Sequence, residues 1–200
     1  GYASFVAADD RLFTIEQRRD REVVTAYDSA TGRELWAHGW ETLFQEMMGG
    51  DGPRATPTVD GDRVYVVGAT GVLSCLDVET GELLWRKRYI EDYDTFVPTW
   101  GIAGAPLVDG DRLIALVGGE PVVFDKYTGR EIWRALKVVG ELGYGQPVIY
   151  EAGGVRQLIV WHPTALTSLN PETGAVYWDQ PWEVRESISV ATPARGGDYL

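Results

Sequence analysis

The sequence is poor in the residues that build disulfide frameworks and metal centres. Among its 200 residues there is one cysteine, Cys75, and there are two histidines, His38 and His162. A single cysteine excludes an internal disulfide and a cysteine-based zinc site. The histidines do not form the i, i+4 pair of a zinc-binding helix, and neither a Walker loop nor a Gly-x-Ser-x-Gly elbow occurs. The sequence therefore indicates no catalytic residue and no metal ligand set.

Long apolar runs and basic residues are also scarce. The longest apolar runs, residues 64–67 and 113–117, are far shorter than the roughly 18–20 residues of a membrane helix. The chain has 18 basic and 30 acidic residues, a formal charge of −12, which argues against a nucleic-acid surface. Because 44% of the residues are hydrophobic, we predict a globular chain. From the acidic charge and the short apolar runs we predict no nucleic-acid partner and no transmembrane segment.

One short motif occurs four times. Its pattern is (Asp/Asn)-x-x-Thr-Gly-x-x-x-Trp, and successive copies of its tryptophan are 49, 48 and 45 residues apart. Such a period is the mark of a repeat architecture. The motif residues are Asp28, Gly32 and Trp36; Asp77, Gly81 and Trp85; Asp125, Gly129 and Trp133; and Asn170, Gly174 and Trp178.

A second phrase recurs with the same period. Ala-Thr-Pro-Thr-Val-Asp-Gly-Asp-Arg at residues 55–63 matches Gly-Ala-Pro-Leu-Val-Asp-Gly-Asp-Arg at residues 104–112. Weaker copies lie at residues 3–12 and 145–148, and a fifth begins at residues 191–193. The Asp-Gly-Asp steps precede β-prone segments, so they indicate hairpin turns in preference to calcium ligands.

Each repeat predicts four short antiparallel strands. Segments rich in β-branched and aromatic residues alternate with Gly-rich turns over about 47 residues, which is typical of a propeller blade. A helical solenoid is disfavoured because glycine or proline interrupts nearly every helical window. Residues 40–48 are the exception: a short helix is expected there, with Leu43, Phe44, Met47 and Met48 packed. The acidic run at residues 91–94 is interpreted as a solvated loop.

We therefore predict an all-β propeller of four-stranded antiparallel blades. The expected blades are residues 1–40, 53–89, 103–137 and 144–182, with a fifth starting at 188–200. A propeller usually has about four to eight blades. We expect about half of a seven- or eight-bladed ring, from a longer chain that supplies the remaining blades and any upstream targeting segment.

The motif from Ala26 to Trp36 resembles the tryptophan-docking motif of the PQQ-like (pyrroloquinoline-quinone-binding-like) β-propeller repeat family. The resemblance covers essentially the whole chain. It implies that the aspartate and glycine shape a turn and that the tryptophan packs between neighbouring blades. The first motif position is Cys75, Val123 or Ser168 in the later copies, so Cys75 is interpreted as a small buried residue and not as a nucleophile.

The resemblance implies two candidate functions. In BamB-like members the propeller is a non-catalytic scaffold of an exported, periplasmic bacterial protein, which binds a protein or ligand. In quinoprotein alcohol or sugar dehydrogenases it holds PQQ and Ca²⁺ over the ring centre. The adjacent cysteine pair of the alcohol-oxidising dehydrogenases is missing here. We therefore expect a scaffold without a cofactor, and keep a PQQ- and calcium-dependent oxidoreductase as the alternative.

A ligand site, if there is one, is expected at one mouth of the central channel. In a propeller the loops that lead into the innermost strands surround that mouth. Here those loops carry Arg54, Trp100, Tyr144 and Glu186, which mix charge with aromatic rings as binding clefts do. Loop packing is the simpler interpretation of these four residues, and lining of a binding funnel is the functional one.

Overall fold

Each repeat folds into one sheet in which four strands follow one another in chain order. The computed structural model describes residues 1–138, 143–182, 184 and 188–197. All strand pairs are antiparallel. The first sheet contains β1 (Val6–Ala8), β2 (Arg11–Arg18), β3 (Arg21–Asp28) and β4 (Glu34–Glu41); the second contains β5 (Thr58–Asp60), β6 (Arg63–Val67), β7 (Val72–Asp77) and β8 (Leu83–Arg88). The third contains β9 (Leu107–Asp109), β10 (Arg112–Val117), β11 (Glu120–Asp125) and β12 (Glu131–Arg134); the fourth contains β13 (Val148–Ala152), β14 (Val155–His162), β15 (Ala165–Leu169) and β16 (Val176–Pro181).

This architecture confirms the predicted all-β fold of four-stranded blades. A single helix, α1 (Tyr89–Tyr93), occurs in the described residues, and no helix there is long and apolar enough to cross a membrane. The first strands of the first three blades, β1, β5 and β9, are neighbours. Just before β1, Ser4 N donates to Thr56 Oγ1 at 3.0 Å, and in β5, Thr58 Oγ1 donates to the Pro106 carbonyl at 2.5 Å. The extent of each blade beyond its strands, and the size of the ring, stay predictions.

Each apolar core lies between two blades. In β6, Val64 and Val66 pack toward the first sheet, whereas Tyr65 and Val67 pack toward the third. Because successive residues of a strand point to opposite faces, a blade that lies between two others buries both faces. This explains why β6 and β10 are continuously apolar instead of alternating. The third core joins β10 and β11 to β14 and β15.

The repeated motif forms the turn between the third and fourth strands. In the first copy, Asp28 Oδ1 accepts hydrogen bonds from Thr31 N at 2.8 Å and Thr31 Oγ1 at 2.6 Å. These bonds lower the pKa of Asp28, because they favour its ionised form. Gly32 adopts a φ of 70°, a left-handed conformation that glycine tolerates best. Asp77 and Asp125 form the same turn with their own threonines.

The motif tryptophans contact the turn of the following blade. Trp36 donates its indole N–H to the Val78 carbonyl at 3.1 Å, and Trp85 donates to the Lys126 carbonyl at 3.0 Å. A β-carbon at Gly81 would lie 2.5 Å from Trp36 Cε3, so the ring occupies the space that a side chain would need. The same holds for the pairs Trp85 with Gly129 and Trp133 with Gly174. Trp178 is 38% exposed and bonds within its own sheet, to Gln157 Oε1 at 2.8 Å.

Two local expectations were wrong. Residues 40–48 are not helical: Trp40 and Glu41 extend β4 and pair with β3, so no helix begins there. Of the four residues expected to pack, only Phe44 is buried; Met47 and Met48 are 102% and 83% exposed. The acidic run at 91–94 is not entirely a loop, because α1 includes its first three residues.

Candidate functional site

The loops that enter the inner strands meet around one pocket. Five of its lining residues occupy the same repeat position, three residues before the proline of the second phrase or, in the first copy, before Phe5. We call this cavity of about 480 Å³ the axial pocket. The five equivalent residues are Tyr2, Arg54, Ala103, Tyr144 and Val190; Gly49, Trp100 and Ile188 complete the lining. A single site is thus assembled from five successive repeat copies.

Arg54 holds two loops together at the pocket. Its Nη1 donates to the Gly52 carbonyl at 2.8 Å and its Nη2 to the Gly50 carbonyl at 2.7 Å. Its Nε donates to the carbonyl of Trp100, in the loop that enters the next blade. Each guanidinium nitrogen therefore already bonds a backbone carbonyl. This arrangement makes Arg54 a fixed part of the wall, because backbone carbonyls use three of its five N–H donors.

Aromatic rings flank the same guanidinium group. The Arg54 Cζ lies 4.8 Å from the centroid of the Phe44 ring and 5.5 Å from that of Tyr2, distances typical of cation–π contacts. Phe44 is buried, whereas Tyr2 is exposed. The charge of Arg54 is thus covered by rings and carbonyls, and the surface that it presents to the pocket is largely apolar.

Trp100 and Tyr144 form the opposite part of the wall. The backbone N–H of Trp100 donates to the Tyr144 hydroxyl at 3.4 Å, and the backbone N–H of Tyr144 donates to the Ser189 carbonyl at 2.7 Å. Tyr144 is nearly buried and Trp100 is half-buried. One backbone-to-side-chain and one backbone hydrogen bond thus link three consecutive entry loops. Trp100 and Tyr144 line the pocket where those loops meet.

The structure brings together Arg54, Trp100 and Tyr144, three of the four residues expected to line a funnel. The fourth, Glu186, lies outside the described residues. Sequence reasoning missed Tyr2, Ala103 and Val190. It did not consider the segment that enters the first blade, and small or aliphatic residues carry no chemical signal of their own. Their equivalence to Arg54 in the repeat is the signal that would have found them.

The chemistry of the lining is apolar and aromatic. In the part of the chain that the structure describes, no carboxylate lines the axial pocket, and no group of three or more His, Cys, Asp or Glu side chains could hold a metal ion. Calcium takes about six to eight oxygen ligands, and PQQ is a tricarboxylate that calls for free cationic donors. The described lining residues therefore do not fit a PQQ–calcium centre.

The first aspartate of each Asp-Gly-Asp turn, considered above as a calcium ligand, forms an ion pair with a basic residue of the following blade. Asp60 Oδ2 accepts from Lys126 Nζ at 2.7 Å, and Asp109 pairs with Arg156, so both Asp-Gly-Asp turns carry ion pairs. Gly61 has a φ of 56°, as a tight hairpin turn requires. Cys75 is fully buried, and burial raises the pKa of its thiol to about 11, which leaves little reactive thiolate.

The histidines lie in different blades. His38 Nε2 is 3.1 Å from Arg86 Nη2, and His162 Nε2 is 3.0 Å from Thr167 Oγ1. Burial lowers the pKa of both imidazoles, so both are neutral near pH 7. Neither lines the axial pocket.

Comparison with known proteins identifies the family. The family described as outer membrane protein assembly factor BamB matches residues 20–198. The chain belongs to this BamB-like family. A BamB protein of Burkholderia pseudomallei is 25% identical over 161 residues, which cover 63% of this chain and 42% of that protein. The quinohemoprotein alcohol dehydrogenase ADH IIB of Pseudomonas putida is 31% identical over 140 residues, 64% of this chain and 20% of the enzyme.

Solved structures carry the same fold. The crystal structure of BamB from Moraxella catarrhalis aligns with a TM-score of 0.62 at 19% identity and covers 88% of this chain and 50% of that one. A europium-containing methanol dehydrogenase aligns with a TM-score of 0.64 at 16% identity and covers 92% of this chain and 42% of that one. The BamB-like chain thus spans half or less of the length of these relatives.

Proposed function

We propose that this BamB-like chain is part of a non-catalytic propeller scaffold, whose axial pocket receives an apolar or aromatic group of a partner protein or of a small ligand. By analogy with its relatives, the whole protein is exported to the periplasm and acts in the assembly of outer membrane proteins. The residues that line the pocket support this proposal. Aromatic and aliphatic walls bind apolar groups, and Arg54, the one charged residue of the described lining, is bonded to three backbone carbonyls.

The alternative is that the chain belongs to a PQQ- and calcium-dependent dehydrogenase. The 31% identity to a quinohemoprotein alcohol dehydrogenase favours it, and Trp100 offers an indole ring to a planar ligand. When bound, PQQ would accept the electrons of an alcohol or sugar. Its calcium ligands would have to come from residues other than the described lining.

A cofactor titration separates the two functions. The protein is mixed with PQQ and Ca²⁺ while the quinone absorbance and dye-linked alcohol oxidation are followed. The scaffold proposal predicts no stoichiometric uptake and no oxidation. Stoichiometric uptake accompanied by oxidation would overturn it and establish the dehydrogenase.

A second titration tests the pocket itself. The tryptophans are labelled as 5-fluorotryptophan, the Trp100 resonance is assigned by a Trp100→Phe variant, and p-cresol is added as a mimic of a tyrosine side chain. We expect a saturable shift of the Trp100 resonance, and no such shift with benzoate. Ala103→Arg, which places a long side chain in the cavity, should abolish the shift. A shift that persists in this variant, or the lack of any shift, would contradict the proposal.

The location is tested in cells. Spheroplasts that express the native gene are treated with a protease that cannot cross the inner membrane. Export predicts that the protein is digested while a cytoplasmic marker survives. Survival of both would contradict export.

A further inference from the structure

One acidic side chain is buried at the interface between the first two blades. Glu22, in β3, is 0% exposed. Its Oε1 accepts the backbone N–H of Ala69 at 2.7 Å, and its Oε2 accepts the indole N–H of Trp40 at 3.1 Å. In the part of the chain that the structure describes, no basic side chain forms an ion pair with it. Two neutral donors, one from each blade, are thus its partners.

The second blade leaves room for this carboxylate. A β-carbon at Gly68 would lie 1.9 Å from Glu22 Oε2 and 3.1 Å from Trp40 Cζ2. Any other residue at this position would displace the carboxylate or the indole ring. The turn at residues 68–71 is therefore shaped around Glu22, and the carboxylate fills a fitted site between two blades.

The same turn supports a wall of the axial pocket. The Ala69 carbonyl accepts the N–H of Ile102 at 2.8 Å. Gly101, with a φ of 74°, lies so close that a β-carbon there would be 3.2 Å from Ala69 Cβ. The preceding residue is Trp100, which lines the pocket. Ala69 thus links Glu22 on one side to the Trp100 loop, residues 99–102, on the other.

We propose that Glu22 is a positioning residue for the axial pocket, and that the charge on its carboxylate sets the position of the Trp100 loop. An ionised carboxylate accepts from both N–H groups. A protonated one carries a hydrogen on one oxygen, which then faces an N–H donor, so one of the two bonds is weakened. The biological meaning of this regulation rests on the proposed function of the pocket.

The carboxylate changes charge in the neutral range. Burial raises the pKa of Glu22 to about 7, although the bonds from Ala69 and Trp40 oppose the rise. Two ionisable groups lie beyond the indole: Arg86 Cζ is 5.1 Å from the centroid of the Trp40 ring, and the His38 ring, which contacts Arg86, lies 6.4 Å from the Trp40 ring. The cross-strand neighbour Gln17 is neutral. Burial and Arg86 lower the pKa of His38, so that its titration falls at lower pH.

The test follows two indoles through a pH titration. Fluorine resonances of 5-fluorotryptophan at positions 40 and 100 are recorded from about pH 5 to about pH 9. We expect both to show a transition with one shared midpoint near 7, and Trp100 to be flat in Glu22→Gln, which has no ionisable group at this position. In that variant Trp40 should keep only the transition of the neighbouring His38, at lower pH. The resonance of Trp85, at another interface, serves as the internal control. A flat Trp100 in the wild type, or a Trp100 that still titrates in Glu22→Gln, overturns the proposal.

Two further variants separate positioning from folding. Trp40→Phe removes one donor and keeps an aromatic ring, so the midpoint at Trp100 should rise by about one pH unit. His38→Gln should leave that midpoint unchanged. An unchanged midpoint in Trp40→Phe, or a lost transition in His38→Gln, would contradict the role of Glu22 even if Glu22→Gln failed to fold.

The titration with p-cresol at two pH values distinguishes this inference from the proposed function. We expect p-cresol to bind about fivefold or more tightly at pH 8 than at pH 6. If Trp100 titrates but p-cresol binds at neither pH, the proposed function fails alone. If p-cresol binds equally well at both and Trp100 is flat, the role of Glu22 fails alone.

Discussion

Trp85 joins two blades through a single side chain. Its indole donates to the Lys126 carbonyl, and its ring occupies the space beside Gly129 and lies 6.1 Å from the Tyr65 ring. Trp85→Ala should therefore lower the free energy of unfolding by about 3–5 kcal/mol, measured by urea denaturation. Trp178→Ala, at the tryptophan that is 38% exposed and bonds within its own sheet, is the matched control and should cost far less. A loss below about 1 kcal/mol for Trp85→Ala would show that the ring is peripheral.

Glu22 makes stability depend on pH. Because its folded pKa, about 7, lies above the ordinary 4.5, the folded chain binds this proton more tightly than the unfolded chain does. The free energy of unfolding should fall by about 3 kcal/mol as pH rises from 4.5 through 7, and the contribution should level off about one pH unit above the folded pKa.

The difference between wild type and Glu22→Gln isolates this contribution. The folded state lowers the pKa values of His38 and His162, so these two residues make the free energy of unfolding rise with pH. Wild type and Glu22→Gln share this effect, and it cancels in their difference. Chemical denaturation at several pH values should give two curves that diverge across this interval. Parallel curves would show that Glu22 does not titrate there.

At the scale of the elements, the motif turn is held by the threonine as much as by the aspartate. Thr80 N and Thr80 Oγ1 both donate to Asp77 Oδ1, and these bonds lower the pKa of the carboxyl group. Thr80→Val removes the hydroxyl donor and should raise the pKa of Asp77 toward its ordinary value, measured by carbon NMR of the carboxyl group. Asp125, in an unchanged turn, is the control. An unmoved pKa of Asp77 would show that the hydroxyl bond is not formed in solution.

Strands and turns were predictable because the same pattern of strand and turn residues occurs in each repeat. Four copies of one motif mark the position of the turn, and the β-branched and aromatic residues of β6 correctly predicted a strand. Its burial on both faces was shown only by the structure. The prediction for residues 40–48 was wrong because their apolar spacing fits a helix, whereas Trp40 and Glu41 pair with β3 and the following residues form an irregular segment and a turn. The role of Glu22 could not be predicted from the sequence. Nothing within β3 indicates that the Trp40 indole and the distant backbone N–H of Ala69 both donate to that carboxylate.

The candidate site was predictable in position but only partly in composition. Propeller geometry points to the entry loops, and Arg54, Trp100 and Tyr144 stand out there as charged or aromatic residues. Sequence reasoning would have Arg54 offer its charge to a ligand. Its bonds to three backbone carbonyls depend on the path of two loops, which no local pattern encodes.

At the scale of the whole molecule, the fourth blade presents an exposed aromatic surface. Trp178 is 38% and Trp182 55% exposed. Apolar patches of this kind favour association. The 200-residue chain by itself should form concentration-dependent oligomers in sedimentation velocity experiments, and Trp182→Glu should shift it toward the monomer. A wild-type chain that stays monomeric at all concentrations would contradict this.

A crystal structure with 4-bromophenol tests the central claim most directly, because bromine reports its own position by anomalous scattering. The account predicts the strongest bromine peak in the axial pocket, bounded by Trp100, Tyr144 and Val190. Bromine found only on other surfaces, or side chains from elsewhere that fill this pocket, would contradict the claim that successive repeats build an apolar binding site at their common centre.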